Sequence, residues 1–413
     1  MKKIKLNTRP KVVYSSNMQV VDFSMYFPIT SGYFNYYNVK LLDYMLINYT
    51  KKYPDRKEIC RVFDDKLLID KYMFSINNIG TSFIVYRFTM PKDKIIDGYS
   101  LEEAFALAIS LLYEPYASSG SFNCDKFNYE KDYFVKCNES YIENRFNRLM
   151  EDFYSIIDKD LSLRASYSYD TSVLLGITPS SLYDFYIKNI VNNRALVYVY
   201  GDISEEVVIN LFKKYTDYNE EDVEILVSSY KALGDRENIN IVKDSPFKQS
   251  VIFLEYKLKD MLEDEVSYLK MFLGIISFSY VRLLYRLLRE EKGIVYDTSV
   301  FGFTFFDRFI VYARISDSNK EEFINTCNYV FKYLMVKDNL KKCMDKYIEG
   351  LEVTKLDDED SNSYLISKVI AEDMGLTSID SYISKCKDVC YDKFIDVINR
   401  IELISCVYYK GVL

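Results

Sequence analysis

The chain has 413 residues, 49% hydrophobic and 28% charged, a size and balance that favour two to four domains with real cores over extended disorder. Its net charge of −8, with no basic stripe, argues against nucleic-acid binding. Histidine is absent, which removes imidazole as general base, metal ligand and pH switch, so Ser-His-Asp, Cys-His and histidine-zinc chemistry within this chain are excluded.

The N-terminal stretch MKKIKLNTRPKVVYSSNM is basic but lacks the apolar segment of a signal peptide. The most apolar run, MFLGIISFSYVRLLYRLL, carries two arginines and is short for a membrane span, so it reads as a core helix. The eight cysteines form no C-x-x-C pair and no disulfide-framework spacing, as expected of reduced thiols in a cytoplasmic protein. Cys386 and Cys390 are four apart, the spacing of one helix face, where a buried pair of small hydrophobes is a simpler expectation than a metal site. The 40 tyrosines and 27 phenylalanines accompany abundant Lys, Asn, Ile and Asp, a composition that A/T-rich coding produces, so aromatics carry weight only in context.

In chain order, QVVDFSMYF alternates like a strand and is followed by a helical pattern over 37–51. FIVYRFTMPKDK, residues 83–94, leaves a strand for a polar turn. Helical patterns follow over 101–115, 139–158 and 179–190, and ALVYVYGDI at 195–203 closes the set. The helix over 204–215 has a clear start, with Ser204 as cap and acidic residues in the first turn. The charged segment 216–245 has few apolar periodic positions outside VEILVSSY and reads as a linker. The expected domains are therefore 1–225 and 226–413.

The second half repeats the order of the first. QSVIFLEYKL is followed by a helical pattern over 264–291, FIVYARISDSNK at 309–320 reproduces the earlier strand, and ISCVYYKGVL at 404–413 closes the chain. Helical patterns occupy 319–336, 338–350, 361–374 and 391–400. This arrangement predicts an α+β protein of two homologous halves, each a mixed β-sheet with helices mainly on one face.

The stretch LLREEKGIVY, residues 287–296, marks a helix stop at Gly293 and a strand start, with Arg289 and Tyr296 on either side of the corner. A cation in the last helical turn complements the helix dipole, and Glu290 or Glu291 offers it a partner, so structure alone accounts for Arg289. Converging at the corner, the two side chains are also two donors able to bind one carbonyl oxygen.

The repeat and the run LLREEKGIVYDTSVFGFTFFDRFIVYARI resemble the C-terminal part of the M16 family, which is insulinase- and pitrilysin-like and includes mitochondrial processing peptidase-like proteins. There, a helix ends in an Arg-Glu-rich turn with Gly, and a Tyr seven residues after the Arg opens a strand; Arg289, Gly293 and Tyr296 keep that spacing. YMLINYTKKYPDRKEICRVFDD, LLYEPYASSGSFNCDKFNYEKDYF and LYDFYIKNIVNNRALVYVYGDIS extend the likeness over the first half. The chain is most similar to the silent subunit of bacterial two-subunit M16 peptidases.

Active M16 members carry H-x-x-E-H, two zinc ligands and a base, on the first helix. The likeness puts Lys40, Leu41, Leu42, Asp43 and Tyr44 at those positions, and a third ligand near EKDYFVKCNE, at Cys137 or Glu139. A protonated lysine has no lone pair for zinc. Lys40 and Asp43, three residues apart, are expected to form an ordinary surface ion pair. The resemblance implies a subunit without its own metal and not catalytic alone. It would pair with an H-x-x-E-H partner that holds the zinc, and Arg289 and Tyr296 would bind the carbonyl of a peptide substrate. The alternatives are a homodimeric pseudopeptidase that binds or escorts peptides, and a structural subunit that keeps the pair as a relic.

Overall fold

A computed structural model of the protein describes residues 2–30, 35–76, 81–93, 95–157, 171–227, 237–245, 248–277, 281–302, 306–358, 362–373 and 377–411. The chain begins with β1 (Lys2–Asn7), β2 (Lys11–Tyr14), β3 (Val20–Thr30), α1 (Asn35–Asn48), α2 (Arg56–Asp65), β4 (Asp70–Ile76), β5 (Thr81–Pro91) and α3 (Leu101–Tyr113). A short hairpin, β6 (Ala117–Ser118) and β7 (Ser121–Phe122), leads into α4 (Cys124–Glu143), α5 (Arg145–Ile157), α6 (Thr171–Gly176) and α7 (Pro179–Tyr186). Then come β8 (Leu196–Gly201), α8 (Glu205–Tyr215) and β9 (Asp222–Val227).

The second half runs β10 (Ile239–Asp244), β11 (Ser250–Leu258), α9 (Val266–Ser277), α10 (Leu283–Tyr285), β12 (Val295–Gly302) and β13 (Arg308–Ile315). It ends with α11 (Lys320–Leu334), α12 (Lys337–Asp358), α13 (Asn362–Asp373), α14 (Ile379–Lys387), α15 (Tyr391–Asn399) and β14 (Ile401–Lys410).

Two five-stranded sheets carry the repeat, in the orders β2-β8-β3-β5-β4 and β10-β14-β11-β13-β12. In each, the first pair is parallel and the others antiparallel. The duplicated Phe-Ile-Val-Tyr stretches fall on β5 and β13, at equivalent sheet positions. Residues 21, 23, 25, 27 and 29 of β3 point into a helix-covered core, while Tyr26 joins Phe83, Val85, Tyr198 and Tyr200 on the opposite face. Burial on both faces explains why these strands read as continuous apolar runs. Among the described residues no helix is long and apolar enough to cross a membrane.

The residues cluster into two compact units: Met1–Glu151, Asp160–Ser228 and Ser361–Met374 form one, and Asp152–Lys159, Ser229–Asp360 and Gly375–Leu413 the other. The segment 216–245, expected as a linker, instead holds β9, antiparallel to β1, and β10, parallel to β14; residues 228–236 within it lie outside the described residues. Both strands are largely solvent-facing, so the apolar alternation that would have marked them is weak.

The helix expected over 264–291 is not continuous. α9 stops at Ser277, Arg282 adopts a left-handed φ of 41°, and the last turns are α10 and a π-helical stretch, Arg286–Glu291. The pattern over 139–158 captured only the end of α4 together with α5. α2, α6 and α14 were not anticipated, and α12 extends well beyond the expected 338–350. Ser204 caps α8 as expected, accepting from Val207 N at 3.3 Å.

Candidate functional site

The corner that holds Arg289 and Tyr296 is built by the backbone. Gly293 sits at φ +63°, a conformation an L side chain resists, and the turn it makes lets Ile294 N bond back to Leu288 O at 3.0 Å. Arg289 Nη1 then donates to Val295 O at 2.7 Å, tying the helix end to the first residue of β12. The acidic neighbours do not hold it: Glu291 pairs with Arg286 at 3.3 Å.

Tyr296 follows Val295 directly. Val295 is paired with Ile315 and Asp297 with Arg314, so Tyr296 is the extra residue of a β-bulge on the edge strand of its sheet. A bulge redirects a side chain that regular alternation would have placed elsewhere, and Tyr296 is 51% exposed. Arg289 is exposed too. The corner therefore presents two exposed donors, the Tyr296 phenol and the Arg289 guanidinium held at the carbonyl of the residue before it.

Lys40, Asp43 and Tyr44 lie on α1 and are engaged with one another and with their surroundings. Lys40 Nζ is 3.4 Å from Asp43 Oδ2 and 4.9 Å from the centre of the Tyr44 ring. Asp43 is 7% exposed and accepts from Met73 N of β4 at 2.6 Å. The expected surface ion pair is thus a pair with one buried member, because Asp43 also caps an outward-pointing amide of an edge strand. Burial pushes the Asp43 carboxyl above its ordinary range, against the pull of Lys40 and the Met73 amide.

Tyr44 packs against Tyr133 and Phe134 of α4, with ring centres 6.0 and 5.9 Å away. Burial, with the nearby Cys137 thiol next in effect, pushes its phenol up to about 12. Of the two candidate third positions, Cys137 is solvent-exposed and acts electrostatically on Tyr44, and Glu139 is solvent-exposed.

These residues do not fit a zinc ion. Lys40 offers a donor, Tyr44 holds its proton, and Asp43 already accepts from an amide and an ammonium, which leaves Cys137 as the one soft ligand. Among the described residues no three His, Cys, Asp or Glu side chains group as a metal site.

Sequence reasoning missed the aromatic surroundings. Tyr129, Tyr133, Cys137 and Tyr141 recur every four residues on α4 and are all exposed, while Tyr36, Lys40 and Tyr44 repeat the interval on α1. That interval is legible in the sequence but was masked by the abundance of tyrosine. Also missed was Glu130, 1% exposed, which accepts from Tyr49 Oη at 2.7 Å and Asn48 Nδ2 at 3.2 Å.

The duplicated α+β architecture is that of M16 proteins. It is similar over 99% of both chains to a conserved protein from Enterococcus faecalis, with a TM-score of 0.80 at 16% identity. A protease from Helicobacter pylori aligns over 99% of both chains with a TM-score of 0.70 at 13% identity. A peptidase M16 inactive domain from Pseudomonas fluorescens aligns over 97% of this chain and 95% of its own, with a TM-score of 0.66 at 12% identity.

In sequence, residues 176–361 match the family model of the peptidase M16 inactive domain, a segment that includes Arg289 and Tyr296. No curated protein matches. The chain thus shares the fold of these proteins, and residues 176–361 are similar to the M16 inactive domain.

Proposed function

We propose that the chain is the silent subunit of a two-chain M16 zinc peptidase, and that Arg289 and Tyr296 act in trans at the metal site of an H-x-x-E-H partner. The observation that carries this reading is the corner itself, where a bulge exposes Tyr296 and Val295 O anchors Arg289 beside it. Two fixed donors aimed at a scissile carbonyl stabilise the negative charge its oxygen gains when water attacks. This chain would bind and orient a peptide, and the partner's zinc would supply Lewis-acid activation of water.

The test is reconstitution with an H-x-x-E-H protein from the same genome. Peptide cleavage should require both chains, and Arg289→Ala with Tyr296→Phe should lower kcat without preventing assembly. Unchanged turnover in that double variant would refute the trans role.

The exposed tyrosines of α4 favour a second reading, a homodimeric pseudopeptidase that holds peptides without cutting them. It predicts peptide affinity with no partner present. A purely structural subunit would show neither that affinity nor any effect of the Arg289 and Tyr296 substitutions.

A further inference from the structure

Neither compact unit is built from one half of the sequence. α13, encoded in the second half, belongs to the first unit, and the end of α5 from Asp152 onward, encoded in the first half, belongs to the second. Both inserted segments are held in the same way.

In the first unit, Lys11 of β2 lies opposite Tyr198 of β8 in the parallel ladder. Both donate to the Asp373 carboxylate of α13, Lys11 through its ammonium and Tyr198 through its phenol at 2.9 Å. In the second unit, Lys243 of β10 lies opposite Tyr409 of β14 in the equivalent parallel ladder. Both donate to Asp152, the ammonium at 2.8 Å to each carboxylate oxygen and the phenol at 2.7 Å.

Apolar packing accompanies each set. Val369 and Ile370 of α13 lie against the cluster that contains Tyr26, Phe83 and Tyr198. Phe153, fully buried, stacks on Phe253 with ring centres 4.5 Å apart and planes 14° from parallel. Tyr198 and Tyr409 are themselves buried, and a buried phenol needs an acceptor. In both sheets that acceptor comes from the other half of the sequence.

We infer that these two Lys-Tyr-Asp clasps interleave the halves of the chain, so that each unit is completed by a segment the other half encodes and the halves stay joined without their covalent connection. The connection at 228–236 then sets the chain's continuity, and the clasps set its integrity.

The experiment places a specific protease site within 228–236 of the full chain, cuts it to completion, and follows the fragments by native mass spectrometry and size exclusion. The cut wild-type chain should run as one 1:1 complex; fragments that separate at micromolar concentration would overturn the inference. In the cut chain, Asp152→Ala with Asp373→Ala should raise the dissociation constant by about 100-fold or more, since each change leaves an ammonium and a phenol without their carboxylate acceptor. An unchanged constant in a folded double variant would also overturn it. If that variant does not fold, Tyr198→Phe with Tyr409→Phe removes one bond per clasp and keeps the packing. A rise of about 10-fold is then expected, and no rise would refute the role of the clasps.

Discussion

The α1–α4 surface and the helix–strand corner at Gly293 differ in how their polar groups are used. At the first, the residues expected at the metal-binding positions are engaged with the rest of the protein: Asp43 accepts from Lys40 and the Met73 amide, and Tyr44 is lodged among rings. At the second, Arg289 makes a single bond to a backbone carbonyl, and Tyr296 is lifted out of strand register into solvent. Polar groups paired inside the protein are closed to a ligand, whereas donors at an exposed bulge remain available to one. On the proposed function, that contrast separates the substrate-binding donors this chain would supply from the metal its partner would hold.

Substitutions at the corner should give the largest functional effect with little structural effect. Arg289→Ala with Tyr296→Phe is expected to lower kcat of the reconstituted complex by about 10²- to 10³-fold, the usual cost of lost oxyanion donors. The same variant's melting temperature should hardly move, because both side chains are exposed. A large loss of stability with unchanged kcat would reverse the comparison.

The reverse pattern is expected on α1. Asp43→Ala leaves the Met73 amide and Lys40 without their acceptor, and should cost about 1–3 kcal/mol of unfolding free energy in denaturant titrations. Activity of the complex should survive once the variant has folded.

The raised pKa of Asp43 sharpens this further. A folded value above the unfolded one means that the native state binds the proton more tightly. Its stabilising contribution is therefore complete below the ordinary carboxylate value of about 3.9 and declines as pH rises through the raised folded value. Asp43→Asn keeps an acceptor for Met73 N but cannot titrate, so its stability relative to wild type should improve as pH climbs through that window. A difference that stays flat with pH would show that Asp43 does not carry the effect.

The smallest change is expected on the outer face of α4. Tyr133→Phe and Tyr141→Phe should each alter stability by no more than about 0.5 kcal/mol, since both side chains are exposed. Loss of peptide affinity in the same variants would favour the pseudopeptidase reading.

Much of the architecture was legible because burial on both sheet faces leaves unmistakable apolar runs. The paired Phe-Ile-Val-Tyr stretches of β5 and β13 and the closing strands β8 and β14 were found on that signal. Edge strands β2, β4 and β10 were not, because partial exposure breaks the pattern. The helix stop at Gly293 was readable from one glycine before a β-branched pair, and its positive φ bears this out. The bulge at Tyr296 was not, since it depends on register against β13, a non-local property. The burial of Asp43 was hidden for the same reason: its acceptor role is set by β4, thirty residues away in sequence. The clasps required pairing of distant strands and helices, which no local spacing reveals.

The central claim is that this chain supplies substrate-binding donors to a metal site it does not possess. Peptide cleavage should be measured for this chain alone, for an H-x-x-E-H protein from the same genome alone, and for their mixture, with zinc analysis of each. The account predicts activity in the mixture alone, with zinc carried by the partner. Cleavage by this chain by itself, with stoichiometric zinc bound to it, would contradict it.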